Sequence, residues 1–167
     1  MADVAFSQDY RVNWDDLDPN FHLRAAIWVD YAVNTQYLWL EQQGINQARY
    51  KELGYEPIAL RLEAQYRHEA TFGDTIKDTP LIDALSLDAY RWRVRHSFLK
   101  NGKERAGSII LEGTWLDWKT RQAVAPASDI VQALNKLPRT PNYEELKSFM
   151  RGKTGTAKTQ QDKSDSS

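Results

Sequence analysis

The chain has 167 residues, a net charge of −1 and no cysteine, so one domain is the natural size, and a disulfide framework, a zinc ribbon and a thiolate nucleophile are excluded. The near-neutral balance lacks the basic excess that matches phosphate backbones, so no nucleic-acid partner is expected. Hydrophobic residues at 41% and six Trp allow a sizeable core.

The opening residues, Met-Ala-Asp-Val-Ala-Phe-Ser, lack the basic start and apolar stretch of a secretory signal, and no run approaches the roughly 18 apolar residues of a membrane span. A cytoplasmic protein is expected. Residues 10–14 alternate as a short strand with Tyr10, Val12 and Trp14 on one face. Residues 25–43 form the strongest helix, because Trp28, Tyr31, Ala32, Thr35, Leu38 and Trp39 recur at helical spacing and Gly44 supplies a stop. A second short helix is expected over 45–53, ended by Gly54. After Pro57 the period becomes two, with Ile58, Leu60, Leu62, Ala64 and Tyr66 on one face. Phe72-Gly73-Asp74 marks a turn, and strands are predicted near 75–85, 89–99 and 104–118, the last two joined by an Asn101-Gly102 hairpin. Residues 117–121 form a further tight turn, Ala123 and Val124 a last short pairing, and Ser128 caps a helix running to Leu137. A short C-terminal helix is expected over 143–150. Residues 1–138 then form the domain, 139–150 hold the C-terminal helix, and 151–167, polar throughout, are expected to be disordered. A helix with Trp and Tyr along its buried stripe needs a curved sheet around it, which makes the fold α+β in two layers.

The most suggestive stretch is Trp14-Asp15-Asp16-Leu17-Asp18-Pro19-Asn20-Phe21-His22-Leu23-Arg24-Ala25. It carries an acidic turn directly into a helix, where orphan N–H groups and the helix dipole favour negative charge. Asp18 there is either a base beside ready-made oxyanion donors or an Asp-Pro turn that caps the helix. His22 can polarise a carbonyl, protonate a leaving group or orient Asp18, or be an ordinary packed loop residue. Arg24 can hold a carboxylate or phosphate, or pair with Asp16 or Asp18. His22, His68 and His96 have no metal-ligand spacing, so no metal is expected. Tyr90, Trp92, Val94, His96 and Phe98 alternate with Arg91, Arg93 and Arg95, whose simplest partners are Glu63 and Glu112 across the sheet; a second reading sends them, or Arg61 and Arg67, to phosphates.

The acidic motif Asp16-Leu17-Asp18-Pro19, the aromatic helix start Trp28-x-x-Tyr31, and Tyr66 ahead of Phe72-Gly73-Asp74 resemble the 4-hydroxybenzoyl-CoA thioesterase family of the hot-dog fold over about residues 10–118. The resemblance implies a curved antiparallel sheet wrapped around one long central helix. It also implies an enzyme that hydrolyses the thioester of an acyl-CoA or an acyl carrier protein, with no separate cofactor because CoA is part of the substrate. Asp18 is then nucleophile or general base, the Ala25 N–H polarises the carbonyl, and His22 joins them as the third catalytic candidate. Arg24, Asn20 and Tyr66 are the substrate-binding candidates. Asp16 matches a structural acid of the family, and a homodimer joined sheet edge to sheet edge, or a tetramer, is implied. The position that usually holds Gly is Phe21, which takes positive φ only at a cost, so a different loop path is expected. Asp18-Pro19-Asn20-Phe21-His22 also has the residue inventory, though not the order, of the Asp-x-Asn-Pro-x-His setting of enoyl-thioester hydratases and dehydratases. A non-catalytic acyl-thioester binding protein is the third reading.

Overall fold

The computed structural model describes residues 6–148. The expected disorder of residues 151–167 therefore falls outside the described residues. Strand β1 (Gln8–Arg11) leads through a single 3₁₀ turn to helix α1 (Ala25–Gln42) and helix α2 (Gln47–Leu53). Strands β2 (Tyr55–Tyr66), β3 (Thr75–Ser86), β4 (Trp92–Lys100) and β5 (Glu104–Asp117) follow, and β6 (Ala123–Val124), α3 (Ser128–Lys136) and β7 (Arg139–Leu146) complete the order.

The sheet runs β1-β3-β4-β5-β2, with β6 on β5 and β7 on β3. It is curved, and α1, at 18 residues the longest of the three α-helices among the described residues, lies against β3 and β5. The elements end where their chemistry says they must. Gly44 takes φ +82°, and the bonds Gly44 N–H to Glu41 O and Ile45 N–H to Leu40 O close a Schellman cap on α1. Asn101 and Gly102, both at positive φ, turn the β4–β5 hairpin. Pro80, which has no N–H to give, sits on the flank of β3 between the stretch paired with β1 and the stretch paired with β7.

Four expectations about the elements are corrected. Trp14 is not in a strand: β1 stops at Arg11, and Trp14 opens the 3₁₀ turn, stacked on Phe72 with ring centroids 4.1 Å apart. The regular alternation of β2 is broken, because Ala59 pairs with Gly113 and Arg61 with Glu112, leaving Leu60 bulged between them. Ile58 consequently opposes Thr114, while Leu62 and Ala64 oppose the core residues Leu111 and Ile109, so Ile58 does not share their face. Ser128 is the first residue of α3 and Ala127 its cap, without a side-chain cap bond. Finally, residues 139–146 are not helical but form β7, parallel to β3, with Ala84 opposite Glu144 and Ser86 opposite Leu146. The unsatisfied flank of β3 offers a ladder that a short isolated helix cannot match.

Under α1 the core holds polar groups as well. Tyr10 stacks on Tyr31 at 4.1 Å, and its hydroxyl meets the Tyr31 carbonyl and the Thr35 hydroxyl, which clamps β1 to the helix. His96 and Asp78, both wholly buried, pair at 2.8 Å between Nδ1 and Oδ2. On the opposite face of β4, Arg91 and Arg93 bind Glu112, and Arg95 binds Asp83. Glu63 is not their partner; it pairs with Arg61 on its own strand.

Candidate active site

The loop from Asp18 to His22 folds on the Asp18 carboxylate. Its Oδ1 accepts the backbone N–H groups of Asn20 (2.8 Å) and His22 (3.1 Å), while the Asp18 N–H binds the His22 carbonyl at 2.8 Å. This is Asx-turn chemistry, and it fixes one oxygen while Oδ2 has no hydrogen-bond partner among the described residues. Asp18 is half-buried and His22 exposed. Contrary to the expected diversion of the loop, Phe21 does adopt the left-handed conformation, at φ +63°. The Phe21 N–H to Asp18 O bond (2.9 Å) and the two bonds on Oδ1 hold it there.

The neighbouring acids serve the frame. Asp16 Oδ2 accepts the Asn13 N–H (2.9 Å) and the Tyr31 hydroxyl (3.4 Å), joining the 3₁₀ turn to α1. Burial, and then the nearby Asp16 charge, push the Tyr31 hydroxyl well above its ordinary range, so it stays protonated as a donor. Arg24 donates from Nη2 to the Asp15 carbonyl (2.8 Å) and from Nε to the Asp16 carbonyl (3.4 Å), so it grips main chain and not the Asp16 or Asp18 carboxylate. Arg24 is also the N-cap of α1 and gives the helix no side-chain cap. The first turn contains no acid, and the N–H groups of Ala25 and Ala26 are left as the orphan donors of a helix start.

Asp18, His22, Ala25, Trp28 and Tyr66 line one groove of about 310 Å³, with Arg67 at the end of β2 beside them. Tyr66 reaches from the sheet to the helix, its hydroxyl donating to the Ala25 carbonyl at 3.2 Å. Burial raises the Tyr66 phenol above its ordinary value. Trp28 forms the floor, buried edge-on to Phe98 at 5.1 Å and tilted against Tyr66 at 6.3 Å. Four of the six expected site residues thus converge, whereas neither Asn20, which contributes only its backbone N–H, nor Arg24 lines the groove. Trp28 is not expected from the sequence as a wall residue, and Arg67 only under the second reading, as a phosphate partner. Trp28 reads as helix core in the sequence, and only the register of β2 reveals that the groove shares that core. Of the histidines, His68 pairs with Glu104 at 3.2 Å and His96 with Asp78. Among the described residues, no three His, Asp or Glu side chains converge on a point that could hold a metal ion.

The half-buried Asp18 and the uncapped first turn of α1 line one groove, and the sequence pattern that defines the thioesterase-like superfamily matches residues 12–134. The chain belongs to the thioesterase-like superfamily. No curated protein matches this member of the superfamily. Its fold is that of SAV2348 from Staphylococcus aureus, solved in complex with CoA (TM-score 0.75, 17% identity, 84% of this chain and 90% of that one). It is similar also to the 1,4-dihydroxy-2-naphthoyl-CoA thioesterase Slr0204 from Synechocystis (TM-score 0.71, 12% identity, 80% and 98%). A third similar structure is the gentisyl-coenzyme A thioesterase BH1999 (TM-score 0.68, 15% identity, 77% and 99%).

Proposed function

We propose that this superfamily member hydrolyses acyl-CoA thioesters, with Asp18 as general base or nucleophile and the first turn of α1 as the oxyanion site. The observation that carries the reading is the shared groove: Asp18, whose Oδ2 is uncommitted, and Ala25 at the N–H end of α1 line one space together with Tyr66. A thioester carbonyl held there exposes its carbon to the carboxylate and its oxygen to main-chain donors, which gains both proximity and charge stabilisation. His22 on the rim can deliver a proton to the departing thiolate. Arg67 is a cation at the groove mouth for a CoA phosphate. The reading extends to an activity of the 4-hydroxybenzoyl-CoA type, with the CoA of the substrate as its only cofactor. The buried Trp28 floor with the exposed Tyr66 ring tilted against it suits an aromatic acyl group, the acyl class carried in the names of two of the similar structures.

A homodimer belongs to the same reading. β2 is the last strand of the sheet, 12 residues long, with Leu60, Leu62 and Tyr66 exposed along it. A long apolar edge of that kind favours pairing with a second copy.

The deciding experiment follows free thiol from a panel of aromatic and aliphatic acyl-CoAs with wild type and Asp18→Asn. A loss of several orders of magnitude in kcat with an unchanged fold is expected; retention of more than about a tenth removes Asp18 from the chemistry. The closeness of His22 to Asp18 favours one alternative, hydration of an enoyl thioester by an Asp–His pair. For the hydrolase, His22→Gln costs about tenfold. Equal losses in both variants, accompanied by wild-type turnover of enoyl-CoA, would establish the hydratase instead.

A further inference from the structure

A second groove, of about 410 Å³, lies toward the other end of α1, where the helix runs into α2 and meets the beginning of β2 and the end of β5. Three aromatic residues line it: Tyr37 and Trp118, 45% and 37% exposed, and Tyr50, which is buried. The Tyr50 hydroxyl has lost its contact with water and has no hydrogen-bond partner among the described residues. It is one of seven buried side-chain polar atoms left unmet among the described residues, and the one carried by a residue that lines this groove. Glu41, Glu56 and Lys51 also line the groove, and none of the three forms an ion pair among the described residues. Burial, and then the Glu56 charge, raise the Tyr37 phenol, so the negative field of Glu56 reaches the ring. Two carboxylates outnumber the one lysine, and the open space is walled by ring surface.

We propose that this groove binds a small organic ammonium ion, with Tyr37, Tyr50 and Trp118 as aromatic walls, Glu41 and Glu56 as counter-charge, and the Tyr50 hydroxyl as partner for a polar group on the ligand. Aromatic faces attract a cation through the ring quadrupole, and a methylated ammonium gives up its weak hydration readily enough to sit against them. An anion would meet Lys51 but also both glutamates. A purely apolar ligand would leave the carboxylates and the Tyr50 hydroxyl unused. The site is separate from the Asp18 groove and does not depend on the hydrolase reading.

Calorimetric titration of the wild-type protein compares choline with 3,3-dimethylbutan-1-ol, which has the same shape and hydroxyl but no charge. Saturable choline binding is expected, at least about tenfold tighter than that of the neutral isostere. Glu41→Gln and Glu56→Gln each weaken choline, and Tyr50→Phe weakens choline while leaving tetramethylammonium unchanged. Asp18→Asn leaves every affinity as it was, so failure of the hydrolase reading would not be mistaken for failure here. Equal affinity for choline and the isostere, no saturation by choline up to about 10 mM, or full affinity in the double glutamine variant would each overturn the proposal.

Discussion

Phe21 is the residue whose local preference is most openly overruled. An L-residue with a Cβ pays on the order of 1 kcal/mol in the left-handed region, and Phe21 recovers little of that through packing, being 66% exposed. The cost is met by the hydrogen bonds that wrap the loop around Asp18, so the strain sits beside the proposed base. Phe21→Gly is expected to raise stability by roughly 0.5 kcal/mol, the steric relief being partly offset by the greater freedom of glycine in the unfolded chain. Denaturant titration measures it, and a clear loss of stability would mean that the Phe21 ring packs on something it does not touch in the isolated chain. The turn at Asp18 and the start of the helix after it were legible in the sequence because Asp-Pro turn chemistry and helical periodicity are local. The Asp78–His96 pair was only half legible: the alternation in β4 marked His96 as inward, but its partner depends on strand register, which no short-range pattern specifies.

At the level of elements, α1, α2 and the β3–β4–β5 meander were readable because glycine stops, the Asn-Gly turn and strict periodicity all act within a few residues. The errors at β7 and Leu60 fell where distant partners decide. β7 exists because β3 has a free flank, and the bulge at Leu60 exists because β2 must keep register with a curved β5. The same contact explains Gly113: a Cβ at that position would collide with the Ile58 carbonyl and the Trp92 ring, which press on β5 from β2 and β4. Gly113→Ala should cost about 3 kcal/mol or prevent folding, and a melting curve within a degree of wild type would contradict the packing. On the free edge of β2, Leu62→Lys is expected to leave the circular dichroism spectrum intact and convert dimers to monomers in analytical ultracentrifugation. A monomeric wild type would refute the edge-paired assembly before any variant is made.

Over the whole molecule, carboxylates set the acid limit. Arg49 holds Asp129 below its ordinary value, and Lys100 does the same for Glu104. Burial works to raise Glu112, but hydrogen bonds and charge from Arg93 and Arg91 outweigh it and keep the carboxyl low. A carboxylate depressed in the folded chain binds its proton more weakly than in the unfolded one, so protons drive unfolding. The stability is present above the ordinary carboxylate range near pH 4 and is lost as pH falls through the lower, folded values. Urea midpoints should therefore hold steady from about pH 7 to pH 5 and decline below about pH 4. Glu112→Gln, which removes the acid whose side chain is least exposed among these ion pairs, should be less stable at neutral pH and show a shallower acid decline. An unchanged slope would mean that the arginines contribute nothing at equilibrium.

The order of pairing also implies an order of assembly. β3, β4 and β5 are successive hairpin neighbours, whereas Gln8 must find Asp78 and Tyr55 must find Asp117 across long stretches of chain. Closing such loops costs entropy that local hairpins do not pay, so the meander is the natural nucleus, and β1, β2 and β7 add to its two flanks afterwards. Until β2 docks, one flank of β5 is an unprotected template; once it docks, the template has only moved outward by one strand. Refolding yield should accordingly fall with protein concentration, because a half-folded copy exposes the flank of β5 as the folded one exposes the edge of β2.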